Sequence, residues 1–267
     1  MRSIEDLLDL SGRHALITGG AGHIGSAVAG GLAELGAAVS ILDVNEKDCR
    51  ETLDKLTSQG KTAGVPVPCD LRDEYDTRES VKEAISSLGR LDIIVHCAAF
   101  VGTTQMAGWA VPFEDQTVEA WDAALRVNLT SALVIAQEAK EALLSSGHGS
   151  IILFGSTYGL VGADLRLYEN SKMANPPGYA ASKGGVIQLS RYLATVMAPS
   201  IRVNSVSPGG VWRGQPESFH ERYVSRTPLK RMAQEQDLKG AVAYLASDMS
   251  EYVTGHNLVV DGGWTAW

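Results

Sequence analysis

The sequence predicts an α/β fold: a single domain whose seven-stranded, mostly parallel sheet is doubly wound, with helices on both faces. Short β-branched or apolar runs alternate with segments of helical period along the chain, the arrangement that buries a parallel sheet on both sides. The first run, helix and run occupy residues 14–43, which is the ~30 residues of one βαβ unit. No stretch rich in Pro, Ser or charge divides the 267 residues, and α/β folds reach ~250 residues as single units, so one domain over 1–267 accounts for the length.

Residues 14–18 read as the first strand, 26–35 as a helix stopped by Gly36, 39–43 as the second strand and 65–70 as the third. Over 73–88, Val81, Ile85 and Leu88 recur at helical spacing, and Gly89 supplies a stop before the strand 92–97. Residues 117–145 read as one long helix with Trp121, Leu125, Leu129 and Ala132 along a stripe, followed by the strand 150–155. Residues 179–197 form another helix, with Val186, Leu189, Leu193 and Val196 at helical intervals, before the strand 201–207. A helix over 235–246 and a strand over 257–260 complete the seven strands.

Composition excludes several partners. With 45% hydrophobic and 20% charged residues, the chain has ordinary globular composition and material for a buried core. A net charge of −8 argues against nucleic acid or an anionic membrane surface, since both need a basic footprint. Cys49, Cys69 and Cys97 are odd in number and far apart, unlike disulfide frameworks or zinc sites, which points to a reducing, cytoplasmic setting. The six histidines are dispersed, so no metal is expected. Glu5, Asp6 and Asp9 rule out a basic-then-apolar secretory leader over the first ten residues, and no run approaches the ~18 apolar residues of a membrane span.

Between the first strand and first helix lies Thr18-Gly19-Gly20-Ala21-Gly22-His23-Ile24-Gly25. Glycines there let the backbone turn sharply and approach a pyrophosphate, which then faces the free N–H groups at a helix N-terminus. Asp43 ends the next strand, 18 positions beyond Gly25. Its carboxylate can accept from both adenosine ribose hydroxyls and would repel a 2′-phosphate, so NAD is expected over NADP. A solvated strand-end Asp is the other role open to it. Lys47 and Arg50 lie near enough in sequence to hold a phosphate, although an exposed helix face suits them better.

Tyr179 and Lys183 are four apart at a helix start, so they share one face. A tyrosine of ordinary pKa ~10 needs a shift of ~3 units, ~4 kcal/mol, to exchange protons near neutrality. One ammonium at ~4 Å in a site of effective dielectric ~20 supplies about that. Ser156, in Gly155-Ser156-Thr157, ends the preceding strand at the carboxyl edge of the sheet, where ligands of open α/β sheets bind; a turn or cap is its alternative. Asn128 interrupts an apolar helix stripe, either as a functional group or as a locally bonded side chain.

The order T-G…G, Asp43, Cys69-Asp70, Ala98-Ala99, Asn128, Ser156, Tyr179-x-x-x-Lys183, Pro208-Gly209 and Asp261-Gly262-Gly263 resembles the single-domain short-chain dehydrogenases/reductases, which have the Rossmann fold. The resemblance implies that Ser156 steadies the substrate oxygen, Tyr179 passes the proton, Lys183 lowers the tyrosine pKa and binds the nicotinamide ribose, and Asn128 holds a relay water. It also implies cofactor contacts from Gly19, Gly22, His23, Ile24, Gly25, Asp43, Asp70, Leu71, Ala98, Ala99, Tyr179, Lys183, Pro208, Gly209 and Val211, with Asp70 on adenine, and a homotetramer.

Two motifs depart from the family. The glycine turn is T-G-x-x-G-x-x-G rather than T-G-x-x-x-G-x-G, similar to the nucleotide-sugar epimerase branch, which keeps an epimerase or dehydratase with bound NAD as an alternative. The usual N-N-A-G is His96-Cys97-Ala98-Ala99, which removes the Asn contribution at that turn. A non-catalytic NAD-binding scaffold would need a broken relay, and Ser156, Tyr179 and Lys183 argue against one.

The interval from Ser156 to Tyr179 is 23 residues, longer than the family's common spacing, and long irregular loops in compact domains are usually functional or disordered. Residues 157–178, carrying Tyr158, Arg166, Tyr168, Asn170 and Lys172, and residues 210–228, carrying Trp212 and Arg213, are therefore the expected substrate lids. Tyr158, Arg166, Trp212 and Arg213 are the candidate substrate contacts, and arginine's fork favours a polar, anionic small molecule. Gly209-Gly210-Val211-Trp212 with Gln215-Pro216-Glu217-Ser218-Phe219 resembles the flagellin-modification and gluconate 5-dehydrogenase-like bacterial subgroup. The expected chemistry is reversible hydride transfer between nicotinamide and a secondary alcohol or ketone of a sugar, sugar acid or polyol.

Overall fold

The computed structural model describes residues 1–101, 104–171 and 173–267. Its strands are β1 (His14–Thr18), β2 (Ala38–Asp43), β3 (Ala63–Pro68), β4 (Ile93–His96), β5 (Gly149–Phe154), β6 (Ile201–Pro208) and β7 (Asn257–Val260). They form one sheet in the order β3-β2-β1-β4-β5-β6-β7. Every pairing is parallel, so the sheet expected to be mostly parallel is wholly so among the described residues. The chain runs outward from β1 in both directions, and the order therefore reverses between β1 and β4, the switch point beside which α/β sheets bind ligands.

The helices are α1 (Ile4–Leu8), α2 (His23–Glu34), α3 (Glu46–Ser58), α4 (Glu74–Leu88), α5 (Val118–Leu125), α6 (Ser131–Ser146), α7 (Pro177–Met197), α8 (Glu217–Arg226) and α9 (Lys239–Ala246). Successive strand residues point to opposite faces. Ile17, Ile41 and Ile93 accordingly pack with α2, α3 and α9, while Leu16, Leu42 and Ile94 pack with α4, α6 and α7. All six are essentially fully buried, each contributing about 1.5–3 kcal/mol of apolar burial. Gly89 ends α4 as expected: its φ of 68° is left-handed, and its N–H caps the carbonyl of Ile85.

The long helix expected over 117–145 is not regular. Its middle, Arg126–Thr130, is a π turn joining α5 to α6. Tertiary and local bonds hold it: Asn128 is tied to Phe100 and Ser182 from outside the helix, and within it Ser131 Oγ donates to the Val127 carbonyl at 2.7 Å. Two residues placed on buried stripes face outward instead, Trp121 at 36% exposure and Val196 at 50%. The helices α1, α3 and α8 were not among the expected elements; α3 buries Cys49, Thr52, Leu53 and Leu56 and α8 buries Phe219 and Tyr223, both at helical spacing but within strongly polar sequence. No helix among the described residues is long and apolar enough to cross a membrane.

Candidate active site

At the end of β1 the chain turns through Gly19, whose φ is 62°. A Cβ there would lie 2.7 Å from the Ala98 Cα, and one at Gly25 would lie 2.1 Å from the Gly19 carbonyl oxygen. Only glycine allows this close passage of β1, the turn and the strand end of β4. Gly22 caps α2 without a side-chain hydrogen bond, so the N–H groups of the first helical turn remain free for an anion. Asp43 stands beside the turn, accepting from Ala21 N at 3.1 Å and Val44 N at 2.8 Å. A tight glycine turn, an uncapped helix N-terminus and a strand-end carboxylate are the features a dinucleotide requires, and they fit one here.

One cleft of about 870 Å³ connects this turn to the catalytic candidates. Gly19, Gly22, His23, Ile24, Gly25, Asp43, Asp70 and Leu71 line one end. Ala98, Ala99, Pro208, Gly209 and Val211 also border it, as do Ser156, Tyr158, Tyr179, Lys183 and Arg213. The Asp70 carboxylate is gripped by the Arg72 guanidinium, whose Nε lies 3.0 Å from both carboxylate oxygens, and this holds Asp70 below the usual carboxylate range.

Tyr179 and Lys183 project from the first turns of α7. The Lys183 Nζ lies 5.8 Å from the centre of the Tyr179 ring and donates to the Phe154 carbonyl at 2.7 Å. Burial lowers Lys183 to about 8, which makes it a proton holder near neutrality. Burial pushes the Tyr179 phenol up, while a hydrogen bond with the Ser156 hydroxyl and then the positive charge of Arg213 draw it down. Arg213, expected only as a substrate contact, is thus a second cation that bears on the phenol beside Lys183. Ser156 Oγ also accepts from Tyr158 N at 3.2 Å.

Asn128 is fully buried and does not line the cleft, although its neighbour Val127 does. Its Oδ1 accepts from Phe100 N at 2.6 Å, and its Nδ2 donates to Ser182 Oγ at 2.9 Å and to the Phe100 carbonyl at 3.3 Å. The side chain therefore locks α7 to the segment after β4, which leaves only main-chain groups of this turn for a relay water. His96, from the departed motif, is buried beneath it. Its Nδ1 lies 2.8 Å from Thr18 Oγ1 and its Nε2 3.4 Å from Ser131 Oγ. Burial, with some help from the Lys183 charge, lowers its pKa to about 3, so the ring is neutral.

Two substrate candidates fall outside the cleft. Arg166 is 77% exposed and paired with Asp164 at 2.8 Å, and Trp212 packs against His220 with ring centres 4.5 Å apart and planes tilted by 54°. Lys172 lies outside the described residues. The cleft is walled instead by Phe100, Val101, Tyr168, Met173, Asn175, Phe219 and Tyr223. Of these, Tyr168 was expected in the lid 157–178, and Phe219 and Tyr223 had a legible signal, two aromatics four apart on one helix face; the others depend on loop path.

The protein-family model described as enoyl-(acyl carrier protein) reductase matches residues 19–265. The chain is a short-chain dehydrogenase/reductase. It is 34% identical to cis-4-hydroxycyclohexanecarboxylate dehydrogenase of Sinomonas cyclohexanicum, over 95% of this chain and 97% of that one. It is 30% identical to 2-dehydro-3-deoxy-D-gluconate 5-dehydrogenase of Dickeya dadantii, over 98% and 99%. Among solved structures, a gluconate 5-dehydrogenase from Burkholderia cenocepacia in complex with NADP and tartrate superposes with a TM-score of 0.88 at 30% identity, over 99% of this chain and all of the other. This short-chain dehydrogenase/reductase is therefore an oxidoreductase that binds a nicotinamide cofactor and acts on CH–OH groups of a small molecule.

Proposed function

We propose that this enzyme interconverts a secondary alcohol and a ketone on a polar small molecule, a sugar acid or related hydroxy acid, with NAD as its cofactor. The observation that carries the reading is that Ser156, Tyr179 and Lys183 border the same cleft as the glycine turn and Asp43. When bound, the nicotinamide supplies the hydride acceptor or donor. In the oxidative direction Ser156 holds the substrate oxygen, and Tyr179 as phenolate takes its proton. Lys183 and the main chain around Asn128 carry that proton onward. In reduction the phenol returns it.

Preference for NAD is supported by Asp43 and by the state of the nearby cations. Lys47 and Arg50 lie on α3 and pair with Glu51 and Glu46, while Arg72 is committed to Asp70. A 2′-phosphate would meet the Asp43 carboxylate, and of these three cations only Lys47, outside the cleft lining, is loosely paired, at 3.6 Å. An acidic substrate is supported by Arg213, which lines the cleft and has only a loose partner, Glu235 at 3.6 Å, and by relatives whose names specify hydroxy or keto acids. Residues 157–178 and 210–228 are the lids of this reading, which also places the enzyme in the cytoplasm as a homotetramer, the exposed Val118, Tyr192 and Val196 supplying apolar contact area.

The test is a screen for cofactor reduction over sugars, sugar acids, cyclic hydroxy acids, polyols and nucleotide sugars. NADH should accumulate with at least one hydroxy acid, and faster than NADPH. Turnover of a nucleotide sugar without NADH accumulation would favour the epimerase reading that the Gly19, Gly22, Gly25 spacing supports.

A further inference from the structure

Apart from the core around the sheet, a smaller cluster of buried side chains joins Leu167, Phe219, Tyr223, Met232 and Trp264. Satellite clusters of this kind form under long loops. This one takes Leu167 from the segment after β5, Phe219 and Tyr223 from α8, and Trp264 from the tail after β7. Leu167 is 1% exposed, so the segment is seated on α8. Phe219, Tyr223 and Trp264 follow one another with ring centres 6.0 and 5.9 Å apart.

Two arginines four apart on α8 grip both ends of the short helical turn Leu165–Tyr168. At its end, Arg222 Nη1 donates to the carbonyls of Glu169 at 2.8 Å, Arg166 at 3.3 Å and Leu167 at 3.4 Å, where a helical turn leaves carbonyls without partners. At its start, Asp164 accepts from Arg166 N at 3.2 Å and pairs with the side chains of Arg166 and Arg226. The Arg226 guanidinium also lies 5.4 Å from the centre of the Trp264 ring. The turn's last residue, Tyr168, packs against Phe219 with ring centres 5.4 Å apart and donates to the Tyr158 hydroxyl at 3.0 Å. Tyr158 follows Ser156 by two residues, gives its N–H to the Ser156 hydroxyl and meets the Trp264 ring edge-on at 6.0 Å. Tyr158, Tyr168, Phe219 and Tyr223 all line the catalytic cleft.

We propose that Arg222 and Arg226 are positioning residues that clasp residues 157–171 and α8 into one preformed roof, and so set where Tyr158 and Tyr168 border the substrate end of the cleft. The two lids then open and close as a single body, and a substrate binds without the cost of ordering them one by one. Loosening the clasp lowers substrate affinity, while the cofactor turn between β1 and α2 keeps its own supports. What binds beneath the roof rests on the alcohol–ketone reading above; the clasp itself does not. One nitrogen of Arg222 makes all three of its contacts, so a lysine ammonium can replace it.

The experiment follows backbone hydrogen exchange by mass spectrometry in the NAD-saturated protein, for the unaltered chain, Arg222→Met, Arg226→Met and Arg222→Lys. In the peptide 165–171 the amides of Arg166, Leu167 and Ser171 are hydrogen-bonded, and residues held in one body exchange with similar protection. In the unaltered chain these amides should be protected to within about threefold of those of α8. Each methionine variant should speed their exchange about tenfold or more, with α7 and the sheet unchanged as the mark of an intact fold. Arg222→Lys should keep most of the protection. Fast exchange at 165–171 beside a protected α8 in the unaltered chain, no change in either methionine variant, or equal losses in Arg222→Lys and Arg222→Met would overturn the proposal. Kinetics with NAD and, in turn, cis-4-hydroxycyclohexanecarboxylate, gluconate, threitol and galactose supply the second readout. For whichever is oxidised, KM should rise about fivefold or more in the methionine variants, with kcat and NAD affinity held within about twofold. An unchanged KM, or a loss of NAD affinity matching the rise in KM, would remove the positioning role. Turnover of none of the four would instead count against the alcohol–ketone reading, and the exchange comparison would still decide the clasp.

Discussion

At the residue scale, the phenol of Tyr179 is governed by three opposed influences: burial, the Ser156 hydroxyl and the Arg213 charge. Removing the Arg213 charge raises the phenol pKa further, so the phenolate that accepts a proton during alcohol oxidation appears at higher pH. Arg213→Gln should therefore move the rising limb of kcat/KM for an uncharged alcohol toward alkaline pH, and a limb that stays in place would show that Arg213 does not act on the phenol. Asp43 provides a second prediction. Hydrogen bonds to a charged group are worth about 1.5–3 kcal/mol, so Asp43→Ala should weaken NAD binding about ten- to hundredfold and narrow the NAD/NADP ratio of kcat/KM. An unchanged ratio would assign cofactor choice to another group.

At the element scale, the π turn at Arg126–Thr130 joins the cofactor side of the site to its catalytic side. Thr18 Oγ1 accepts from Ala98 N at 3.3 Å and so is free to donate to His96 Nδ1, which leaves Nε2–H directed at Ser131 and the main-chain carbonyls of Val127 and Asn128. Asn128 then grips Ser182, next to Lys183. His96→Leu strands these buried groups at about 1–3 kcal/mol each, so its melting temperature should fall clearly, whereas His96→Asn, with a donor and an acceptor, should fall less. Equal melting of the two variants would contradict this network. The same turn shows where sequence reading stops. Gly89 could be placed as a helix end because a left-handed stop is local chemistry, and the strands 14–18 and 257–260 match β1 and β7. The π turn depends on His96 and Ser182, tens of residues away, and the buried side chains of α3 and α8, although at helical spacing, sit within strongly polar sequence.

At the scale of the whole molecule, reversal of the strand order between β1 and β4 opens the cleft at the carboxyl ends of the strands, and residues spread from Gly19 to Arg213 meet around it. The cofactor end was legible because each of its features answers a local demand: glycine for close passage, a carboxylate at a strand end, a phenol and an amine four apart on a helix. The substrate end was not, because loop path decides it: Arg166 and Trp212 are carried away from the cleft, while Asn175 and Met173 are carried in. The central claim is that Tyr179 moves the proton beside a bound nicotinamide. It is tested most directly by comparing turnover and NAD affinity in the unaltered enzyme and in Tyr179→Phe, which removes one oxygen from the cleft wall. Loss of at least about a thousandfold in kcat with NAD affinity kept within a few-fold is the predicted result. Substantial remaining turnover, or a loss of NAD affinity as large as the loss of activity, would contradict it.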